Sequence, residues 1–467
     1  MRSFQKERSL SMMSLKSLAK KIAAVYHGED RPLPKLSLDS RTIQPGELYV
    51  AIRGERLDGH RFVKEAIQKG ASAIMVESPM GENVPEIVVP NTVEALGKMA
   101  RVWREQFSLP LIAVTGSCGK TGTKEMIAAI LSERGLTLCT KGNFNNHLGM
   151  PLTLLSLTDE HRFAVLELGA SHPGEIRYLV ELAKPTVGLI TNIHASHLEG
   201  FGSLESISKE KSEIYRGLPS DGIAVVNVDE PFAKTWSSFL ETRHQITYGL
   251  NHPADISASH VAYTDSGVRF EIHTPIGKED CYVPLLGDHV VQNALAAAAA
   301  SMAVGADLDS VVTGLARVIP VKGRMVPCVL EKGAALIDDT YNASALSVES
   351  AIRYLSKLPG KKIFVMSNMA EMGPDSELYH RKMGEWIRGS NIDQVFLTGR
   401  KEYLIPTLQV LGNRARFFET QQQLIEALQP CLGPEVTVLV KGCRSSKMEI
   451  IVQALKGETC SKGLLCH

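Results

Sequence analysis

The sequence lacks several features that would place it in a specialised class of protein. Its 51 Lys and Arg residues balance 51 Asp and Glu residues, so no overall charge attracts it to nucleic acid or to an anionic membrane. An anionic substrate must therefore be bound by a local group of residues. No apolar run approaches the roughly 20 residues of a membrane span, and no apolar signal-peptide core follows the basic N-terminus. We expect a cytoplasmic protein with no membrane span and no nucleic-acid partner.

The eight cysteines lack the spacing of a disulfide framework or of a zinc site. They are scattered, with no Cys-x-x-Cys pair, and we interpret them as reduced thiols. Internal repeats and low-complexity linkers are also absent. A chain of 467 residues, 44% of them hydrophobic, is long enough to bury the cores of two to four domains.

The sequence does contain a repeated alternation of short apolar segments with helical segments. From residue 109 the apolar segments are rich in Val and Ile and are followed by Gly, Asn or Asp, as expected of buried parallel strands with functional loops at their carboxyl ends. A new series begins after Pro320. We predict an α/β protein of three domains: a small N-terminal α/β domain (1–108), a central domain with a mostly parallel sheet (109–319) and a C-terminal Rossmann-like domain (320–467).

The same pattern predicts individual elements. An Ala-rich helix is expected at 291–305, with Gly305 as its stop, and a helix at 59–70 is expected to close at Gly70. Further helices are predicted at 92–107 and 119–134. Strands are predicted at 47–52, 71–77, 86–89, 111–116, 163–170, 186–192, 222–229, 334–339, 361–367, 394–399 and 436–442.

The segment LIAVTGSCGKTGTKEM, residues 111–126, has the character of a phosphate-binding loop with shortened spacing. Val114 occupies the place of the first glycine in the usual Gly-x-x-x-x-Gly-Lys-Ser/Thr pattern. The loop nevertheless lies between a predicted strand and a helix N-terminus, where free N–H groups favour an anion. Lys120 is placed to reach phosphate oxygens, and Thr121 to offer its hydroxyl to Mg²⁺. Taken alone, an ordinary turn with a solvated Lys120 is equally consistent with this segment.

An ordered series of segments resembles one known family. The loop TGSCGKTGTKE is similar to the ATP loop of the Mur ligases, which add amino acids to UDP-N-acetylmuramic acid in building peptidoglycan precursors. The resemblance runs from about residue 36 to about residue 455. The other matching segments are DSRTIQPGELYVAIRGERLDGHRFVKEAIQKGA, GNFNNHLGMPLTLL, LELGASHPGEI, TNIHASHLEGFGS, KEKSEI, NVDE, GDHVVQNALAA, KGRM, IDDTYNAS, MAEMGPDSELYH and VKGCRSSKME.

The resemblance implies that the chain is an ATP-dependent ligase of this family. It would join D-alanyl-D-alanine to the terminal carboxylate of UDP-N-acetylmuramoyl-tripeptide through an acyl phosphate, with ATP and these two small molecules as its partners. By this resemblance, the domain 1–108 would bind the UDP-linked substrate and the domain 109–319 would bind ATP. The domain 320–467 would bind the incoming dipeptide and close over ATP. We expect a monomer.

Three other functions remain open from the sequence. The nearest is the family member that adds the third amino acid, although its Asp-Asn-Pro-Arg motif is absent here. Folylpolyglutamate synthetase shares the ATP architecture but lacks a domain with the DSR and DGH segments found at 39–41 and 58–60. A nucleotide-binding switch without ligase activity is the third.

The resemblance also implies the residues of a metal and catalytic centre. Lys120, Lys211 and His197 are the catalytic candidates. Thr121, Glu167 and His197 match metal positions for Mg²⁺, with Mn²⁺ as an alternative. The family's counterpart of Lys211 is carbamylated, which would make it a further metal ligand. From the residues alone, Lys211 is a solvated helix residue beside Glu210, which replaces the family's usual alanine.

Further site residues are carried over from the resemblance. His289 matches a position near the nucleotide. The ATP-binding candidates are Thr115, Gly116, Ser117, Cys118, Gly119, Lys120, Thr121, Gly122, Asn293, Arg324, Asp339, Tyr341 and Asn342. The candidates for the UDP-linked substrate are Ser40, Arg41, Asn145 and Asn146, and those for the dipeptide are Lys441 and Arg444.

The sequence departs from the family pattern at three places. Ser344 and Ala345 replace an Asn-Pro pair, the pair at 367–368 is Ser-Asn instead of Gly-Asp, and His194 replaces a glycine. The first two changes are expected to affect loop stiffness or contacts to the ribose, and His194 adds an imidazole near the proposed metals.

Overall fold

Four sheets organise the part of the chain that the computed structural model describes, residues 13–54 and 57–457. One sheet belongs to the N-terminal third, two to the middle and one to the C-terminal third. The predicted α/β class with mostly parallel sheets is confirmed. The domain boundaries near 108 and 320 stay predictions.

The N-terminal sheet has five strands in the order β1-β5-β4-β3-β2. Only β1 is antiparallel to its neighbour. Leu48 and Val50 pack against the first and third helices, whereas Tyr49 between them packs against the second, as the alternation of a strand requires. The elements are β1 (Val25–His27), β2 (Leu36–Ser37), β3 (Leu48–Val50), β4 (Ala73–Val76) and β5 (Glu86–Val88), with α1 (Leu15–Lys21), α2 (Val63–Gln68) and α3 (Thr92–Arg104).

The middle sheet has six parallel strands in the order β11-β10-β9-β6-β8-β7. Its strands are β6 (Leu111–Thr115), β7 (Thr137–Cys139), β8 (Phe163–Glu167), β9 (Val187–Ile190), β10 (Ile223–Asn227) and β11 (His244–Tyr248). The helices are α4 (Lys120–Ser132), α5 (Gly149–Leu154), α6 (Glu175–Ala183), α7 (Leu198–Phe201), α8 (Leu204–Arg216), α9 (Ala233–Leu240), α10 (Val290–Met302) and α11 (Leu308–Ala316).

Strand β6 lies at the point where this sheet changes direction of winding. The chain moves to one side of β6 for β7 and β8, and to the other side for β9, β10 and β11. In open parallel sheets, ligands bind in the crevice outside the carboxyl ends of the strands at such a point. The loop that follows β6 is the predicted phosphate loop, so the topology places it where a ligand is expected.

The Ala-rich helix α10 supports α4, the helix that follows this loop. Its alanines from 296 to 300 are all buried against α4 and the sheet. The helix ends at Met302, and Gly305 takes a left-handed φ of +91° shortly after it, as predicted.

A three-stranded antiparallel sheet interrupts the alternation, which the sequence analysis did not predict. It consists of β12 (Ser257–Thr264), β13 (Gly267–Thr274) and β14 (Gly277–Val283). One face of β13 joins the core through Val268, Phe270 and Ile272, whereas most of β12 is exposed. The alternate burial along β13 is the pattern of a half-exposed strand.

The C-terminal sheet has six strands in the order β15-β16-β20-β17-β18-β19, and only β15 is antiparallel to its neighbour. Its strands are β15 (Val326–Val329), β16 (Ala335–Asp339), β17 (Lys361–Met366), β18 (Gln394–Leu397), β19 (Ala415–Phe417) and β20 (Val436–Lys441). Its helices are α12 (Ala345–Lys357), α13 (Ser376–Arg388), α14 (Lys401–Leu411), α15 (Gln421–Leu428) and α16 (Glu449–Leu455).

Short 3₁₀ helices lie at Gly59–Phe62, Gly373–Asp375, Gly412–Arg414, Gln429–Cys431 and Arg444–Ser446. Within residues 13–54 and 57–457, no helix combines the length and the apolar character needed to cross a bilayer. None of the six cysteines in these ranges is in a disulfide bond, and Cys460 and Cys466 lie outside the described residues.

Candidate active site

A cavity of about 920 Å³ lies where the middle and C-terminal parts of the chain meet. Its lining comes from the loop after β6, from residues at the carboxyl ends of β8 and β9, and from the segments around β16 and α12. The predicted site residues that line it are Ser117, Cys118, Gly119, Lys120, Thr121, Gly122, Asn145, Asn146, Glu167, His197, Asn293, Arg324, Asp339, Tyr341, Asn342 and Lys441. Those that do not are Ser40, Arg41, Thr115, Gly116, Lys211 and Arg444.

Two glycines allow the loop after β6 to fold tightly. Gly116 has a φ of +147° and Gly119 a φ of +81°, both in the region that favours glycine. A Cβ atom at Gly116 would lie 1.9 Å from Thr191 Oγ1, and one at Gly119 would lie 2.7 Å from Asn293 Oδ1. The loop therefore requires glycine at both positions for space as well as for conformation.

Residues at the end of β9 hold the loop in place. The Cys118 amide donates to Asn192 Oδ1 at 2.9 Å, and Thr191 Oγ1 donates to the Cys118 carbonyl at 2.6 Å. Thr115 is buried at the start of the loop, where its hydroxyl donates to the Leu168 carbonyl at 2.8 Å. These bonds hold the loop through contacts within the protein itself, which is the preorganisation that an anion site needs.

Lys120, the first residue of α4, folds its side chain back into the loop. Its Nζ donates to the Gly116 carbonyl at 2.7 Å. Burial lowers the pKa of the ammonium, and the nearby Glu167 carboxylate opposes that effect. The cation therefore lies inside the loop, beside the free N–H groups of the α4 N-terminus.

Four side chains from four different segments form a hydrogen-bonded chain next to the loop. Thr121 Oγ1 donates to Glu167 Oε2 at 2.7 Å, and Asn145 Nδ2 donates to the other carboxylate oxygen at 2.8 Å. Arg324, from the C-terminal part, donates from Nη2 to Thr121 Oγ1 at 2.9 Å. A hydroxyl, a carboxylate and a guanidinium thus meet at one place.

Arg324 keeps one donor unused. Its Nε is buried and has no hydrogen-bond partner within the described residues, and its guanidinium lies over the Tyr341 ring at 4.2 Å from the centroid. An unpaired buried donor costs roughly 1–3 kcal/mol. A phosphate oxygen would satisfy it, so the arrangement fits an anionic ligand.

Lys211 lies in α8 and is 1% exposed, so the interpretation of this residue as solvated is wrong. Burial, followed by the nearby positive charge of Lys120, lowers the pKa of Lys211 to about 7. The carboxylate of its neighbour Glu210 accepts hydrogen bonds from the amides of Gly174 and Ile176, both at 2.7 Å. Glu210 therefore satisfies the N-terminus of α6 instead of neutralising Lys211 directly.

The C-terminal candidates are divided between two places. Lys441 is 2% exposed in the cavity wall, where its Nζ donates to Asp339 Oδ2 at 2.6 Å and to the Asn342 carbonyl at 2.9 Å. Arg444 lies outside the cavity and pairs with Glu449 at 3.0 Å. The structure therefore does not bring Lys441 and Arg444 together into one basic loop.

Comparison with known proteins shows the family to which this chain belongs. Three sequence profiles match: "Mur ligase family, catalytic domain" at 34–104, "Mur ligase middle domain" at 114–301, and "Mur ligase, glutamate ligase domain" at 323–444. The chain belongs to the Mur ligase family. It is 41% identical over 447 residues to the UDP-N-acetylmuramoyl-tripeptide–D-alanyl-D-alanine ligase of Escherichia coli strain K12, covering 95% of this chain and 98% of that relative.

Solved Mur ligase structures share the whole fold. MurF from Acinetobacter baumannii superposes with a TM-score of 0.88 at 33% identity, covering 95% of this chain and 98% of that one. MurF from Thermotoga maritima in complex with ADP superposes with a TM-score of 0.81 at 27% identity, covering 91% of this chain and 98% of that one. The three-domain Mur ligase architecture and the use of ATP are therefore confirmed for this chain.

His197 meets a partner that the sequence analysis did not single out. Its Nδ1 contacts the Glu371 carboxylate, and Ser171 Oγ lies 3.4 Å from the same nitrogen. Glu371 comes from the segment MAEMGPDSELYH, which the resemblance to the Mur ligases already marked. That segment match was the available signal, but no pattern in the sequence shows that this glutamate faces a histidine 174 residues away.

The residues predicted to bind the UDP-linked substrate also lie in two separate places. Asn145 and Asn146 line the cavity, and Asn146 accepts hydrogen bonds at the start of α5, including one from the Gly149 amide at 2.9 Å. Ser40 and Arg41 lie in the N-terminal part, where Arg41 pairs with Asp39. Their roles stay predictions.

The nucleotide candidates of the Mur ligase pattern line two walls of the cavity, and their roles stay predictions. Asn293 is 7% exposed beside Gly119, and His289, the residue before the first turn of α10, also lines the cavity. Asp339, Tyr341 and Asn342 follow β16 on the opposite wall.

The departures from the Mur ligase pattern all have structural partners. Ser344 begins α12, and its Oγ lies 3.1 Å from Cys118 Sγ in the phosphate loop. His194 lines the cavity, its amide donates to Ser117 Oγ at 2.9 Å, and burial lowers its pKa. Ser367 Oγ accepts from the Cys443 amide at 3.1 Å.

Proposed function

We propose that the chain is an ATP-dependent ligase that joins D-alanyl-D-alanine to the terminal carboxylate of UDP-N-acetylmuramoyl-tripeptide. The observation that carries this conclusion is 41% identity, over nearly the full length of both chains, to the E. coli enzyme of that name. The cavity geometry supports it, because the phosphate loop, a carboxylate and a guanidinium from the C-terminal part converge on one space.

The reaction needs activation of a carboxylate, since joining a carboxylate to an amine in water is uphill. The terminal carboxylate attacks the γ-phosphorus of ATP, breaking the bond to ADP and forming an acyl phosphate. The free amine of the dipeptide then attacks the acyl carbon, and phosphate leaves as the peptide bond forms. Lys120 and Arg324 supply positive charge where the transferred phosphoryl group carries its negative charge.

The cavity lies between two parts of the chain, a position that can shield the acyl phosphate from hydrolysis by water. Both the middle and the C-terminal parts contribute to its walls, and contacts such as Cys118 with Ser344 and Lys357 with Asp288 join the two parts around it. Closing such a site excludes water and brings Arg324 against Thr121. We propose that ATP binds with its phosphates at the loop and its base near Asn293.

We propose Mg²⁺ as the cofactor, held by Thr121 and Glu167 with His197 as a further ligand, and Mn²⁺ as an alternative. Mg²⁺ is usually bound through one or two protein groups together with substrate phosphates. The adjacent hydroxyl of Thr121 and carboxylate of Glu167 fit this type of coordination. Within the described residues, no group of three or more His, Cys, Asp or Glu side chains lies together in the manner of a metal site. When bound, the ion neutralises phosphate charge and orients the carboxylate.

We also propose that Lys211 is carbamylated. Carbamate forms from CO₂ and a neutral amine, and burial lowers the pKa of Lys211 to about 7, so a large share of the amine is neutral near physiological pH. The product is an anion near the Lys120 ammonium, which would relieve the repulsion between the two lysines.

Several finer assignments belong to the same proposal. Ser40, Arg41, Asn145 and Asn146 serve the UDP-linked substrate, with Asn145 at the cavity end. Lys441 and Arg444 remain the dipeptide candidates. Within the same proposal, the protein acts as a monomer in the cytoplasm.

The test is mass spectrometry of the product made from ATP, UDP-N-acetylmuramoyl-tripeptide and D-alanyl-D-alanine. We expect the pentapeptide product together with ADP and phosphate. Parallel reactions replace the tripeptide by the dipeptide precursor and D-alanyl-D-alanine by single amino acids. A product formed only from the dipeptide precursor and one amino acid would identify the ligase of the third residue instead, and nucleotide binding without any product would identify a switch.

A further inference from the structure

Two short segments from different parts of the chain meet at the rim of the cavity. One contains His197 and the following helix α7, and the other is the segment 369–375 of the C-terminal part. The Glu199 amide donates to the Glu371 carbonyl at 3.2 Å. A Cβ atom at Gly373 would lie 3.3 Å from the Glu199 Cα, so the two backbones are in direct contact. This contact fixes how the side chains of the two segments face each other.

The two residues whose side chains meet here both have left-handed backbones. His197 has a φ of +52° and Glu371 a φ of +60°, a region that residues with a side chain adopt at a cost in free energy. Such outliers persist only where the surrounding structure compensates for them, and they concentrate at functional sites. Here both outliers lie at the point where the two side chains pair.

The pairing is made through one nitrogen of the imidazole. Glu371 Oε2 and Ser171 Oγ both contact Nδ1 of His197. Because a carboxylate accepts only, Nδ1 must carry the proton, and the lone pair of the neutral ring then lies on Nε2.

The segment that carries Glu371 is itself held by a buried imidazole. His380 is completely buried in α13, its Nε2 accepts from the Met369 amide at 3.0 Å, and its Nδ1 donates to the Ser376 carbonyl at 2.7 Å. One ring therefore ties both ends of the loop on which Glu371 lies. The carboxylate is presented to His197 by a rigid support instead of by a free loop end.

We propose that Glu371 is a positioning residue for His197: it holds the Nδ1–H tautomer and leaves Nε2 free to ligate the divalent cation of the cavity. This inference rests on the proposed function, which makes His197 a metal ligand. Carboxylate partners of ligating histidines fix the ring and raise its basicity. Since Glu371 belongs to the C-terminal part and His197 to the middle part, the ligand is complete only when these two parts are together.

The consequence is a link between closure and metal binding. A cation that binds His197 more tightly in the presence of Glu371 must favour the arrangement in which the two segments touch, by the same factor. Closure over the acyl phosphate and retention of the cation would then occur together.

The test measures Mn²⁺ binding in the presence of ADP, with the free ion counted by electron paramagnetic resonance. We expect Glu371→Ala to weaken Mn²⁺ binding by about 10- to 100-fold. Glu199→Ala is the matched control, because it removes an exposed carboxylate from the same contact, and it should bind Mn²⁺ as the wild type does. Glu371→Gln, which keeps the size of the side chain, is the second variant should Glu371→Ala not fold.

A double-variant cycle with His197→Ala tests whether Glu371 acts through the imidazole. We expect no further loss when Glu371→Ala is added to His197→Ala. In parallel, ring-¹⁵N NMR of labelled histidine should show His197 protonated at Nδ1 in the wild type and at Nε2, at least in part, in Glu371→Ala.

Three results would overturn the inference: Mn²⁺ affinity unchanged in Glu371→Ala, an equal loss in the presence and absence of His197, or a wild-type His197 protonated at Nε2. No peptide substrate is present in these measurements. Their outcome is therefore independent of which amino acid the enzyme adds.

Discussion

Arg324 Nη2 donates a hydrogen bond to Thr121 Oγ1 at 2.9 Å, although the two residues are 203 positions apart. Thr121 lies in the first turn of α4, directly after the phosphate loop, and Arg324 lies after the middle part of the chain has ended. The bond shows that the cavity is assembled from two parts of the protein. It also places a permanent cation beside the hydroxyl and the Glu167 carboxylate at the proposed metal site.

Arg324→Ala should lower kcat by about 100-fold or more, because the variant loses a charged donor where the phosphoryl group carries its charge. Phosphate release in the presence of all substrates measures the effect. Arg317→Ala is the control, because Arg317 is an exposed arginine nearby that pairs with Glu133. If both variants lost activity to the same small extent, Arg324 would have only a structural role.

Lys120→Ala should abolish ligation while leaving the fold intact. The Lys120 ammonium is held within the loop by the Gly116 carbonyl, so its removal leaves the phosphates without their nearest cation. We expect phosphate release to fall by about 1,000-fold. Circular dichroism and the midpoint of thermal unfolding should remain those of the wild type. Undiminished phosphate release from a folded variant would refute the assignment of the loop.

Gly116→Ala should impair ATP binding without a global loss of structure. The added Cβ would lie 1.9 Å from Thr191 Oγ1, and Thr191 is one of the residues that hold the loop. Gly305→Ala is a matched control, because Gly305 also has a positive φ but has no atom within 4 Å of the added Cβ. We expect both variants to lose about 1 kcal/mol from backbone strain, and only Gly116→Ala to lose affinity for ATP. Equal ATP affinities would show that the loop tolerates a shift.

Lys211 should take up CO₂ as the pH rises through about 7. Burial lowers the pKa of Lys211 to about 7, so the amine is mostly charged below this pH and mostly neutral above it. Carbon-13 NMR with labelled bicarbonate should show a carbamate resonance whose intensity rises over this range. The resonance should be absent from Lys211→Arg and present in Lys209→Arg, a substitution at an exposed lysine of the same helix. A resonance that survives Lys211→Arg would arise from another amine.

The features that the sequence predicted are those encoded in contiguous residues. The strand, loop and helix from 111 to 132 carry their own signals: a run of β-branched residues, glycines at the turn, and apolar residues at helical spacing. The buried strands β8, β9, β10, β16, β17, β18 and β20 were predicted for the same reason. The antiparallel sheet β12 to β14 was missed because its strands are half exposed, which makes their apolar pattern weak.

The side-chain roles that were not predicted depend on tertiary contacts between residues that are distant in sequence. Nothing local to Glu210 shows that it binds the N-terminus of α6, and nothing local to Lys441 shows that it is buried against Asp339. The partnership of Glu371 with His197 likewise depends on how two parts of the chain pack. Side-chain roles that depend on such packing cannot be read from spacing in one segment.

The buried imidazole of His380 should make stability fall in mild acid. Burial lowers its pKa in the folded chain below the ordinary value of 6.5, and the hydrogen bond to the Ser376 carbonyl opposes this shift. A second ring proton would also displace the Met369 amide from Nε2. The unfolded chain therefore binds a proton at a higher pH than the folded chain does, and the free energy of unfolding decreases as the pH falls below about 6.5.

The slope of this decrease is at most about 1.4 kcal/mol per pH unit for one group. His380→Gln cannot be protonated, so its thermal midpoint should fall less between pH 6.5 and 5.5 than that of the wild type, by about 2–4 °C. His194 and His289 also have lowered pKa values, but they are present in both proteins and cancel in the difference. Parallel curves for the two proteins would mean that His380 takes up its proton without losing its bonds, and the loop that presents Glu371 would then have to be held by other contacts.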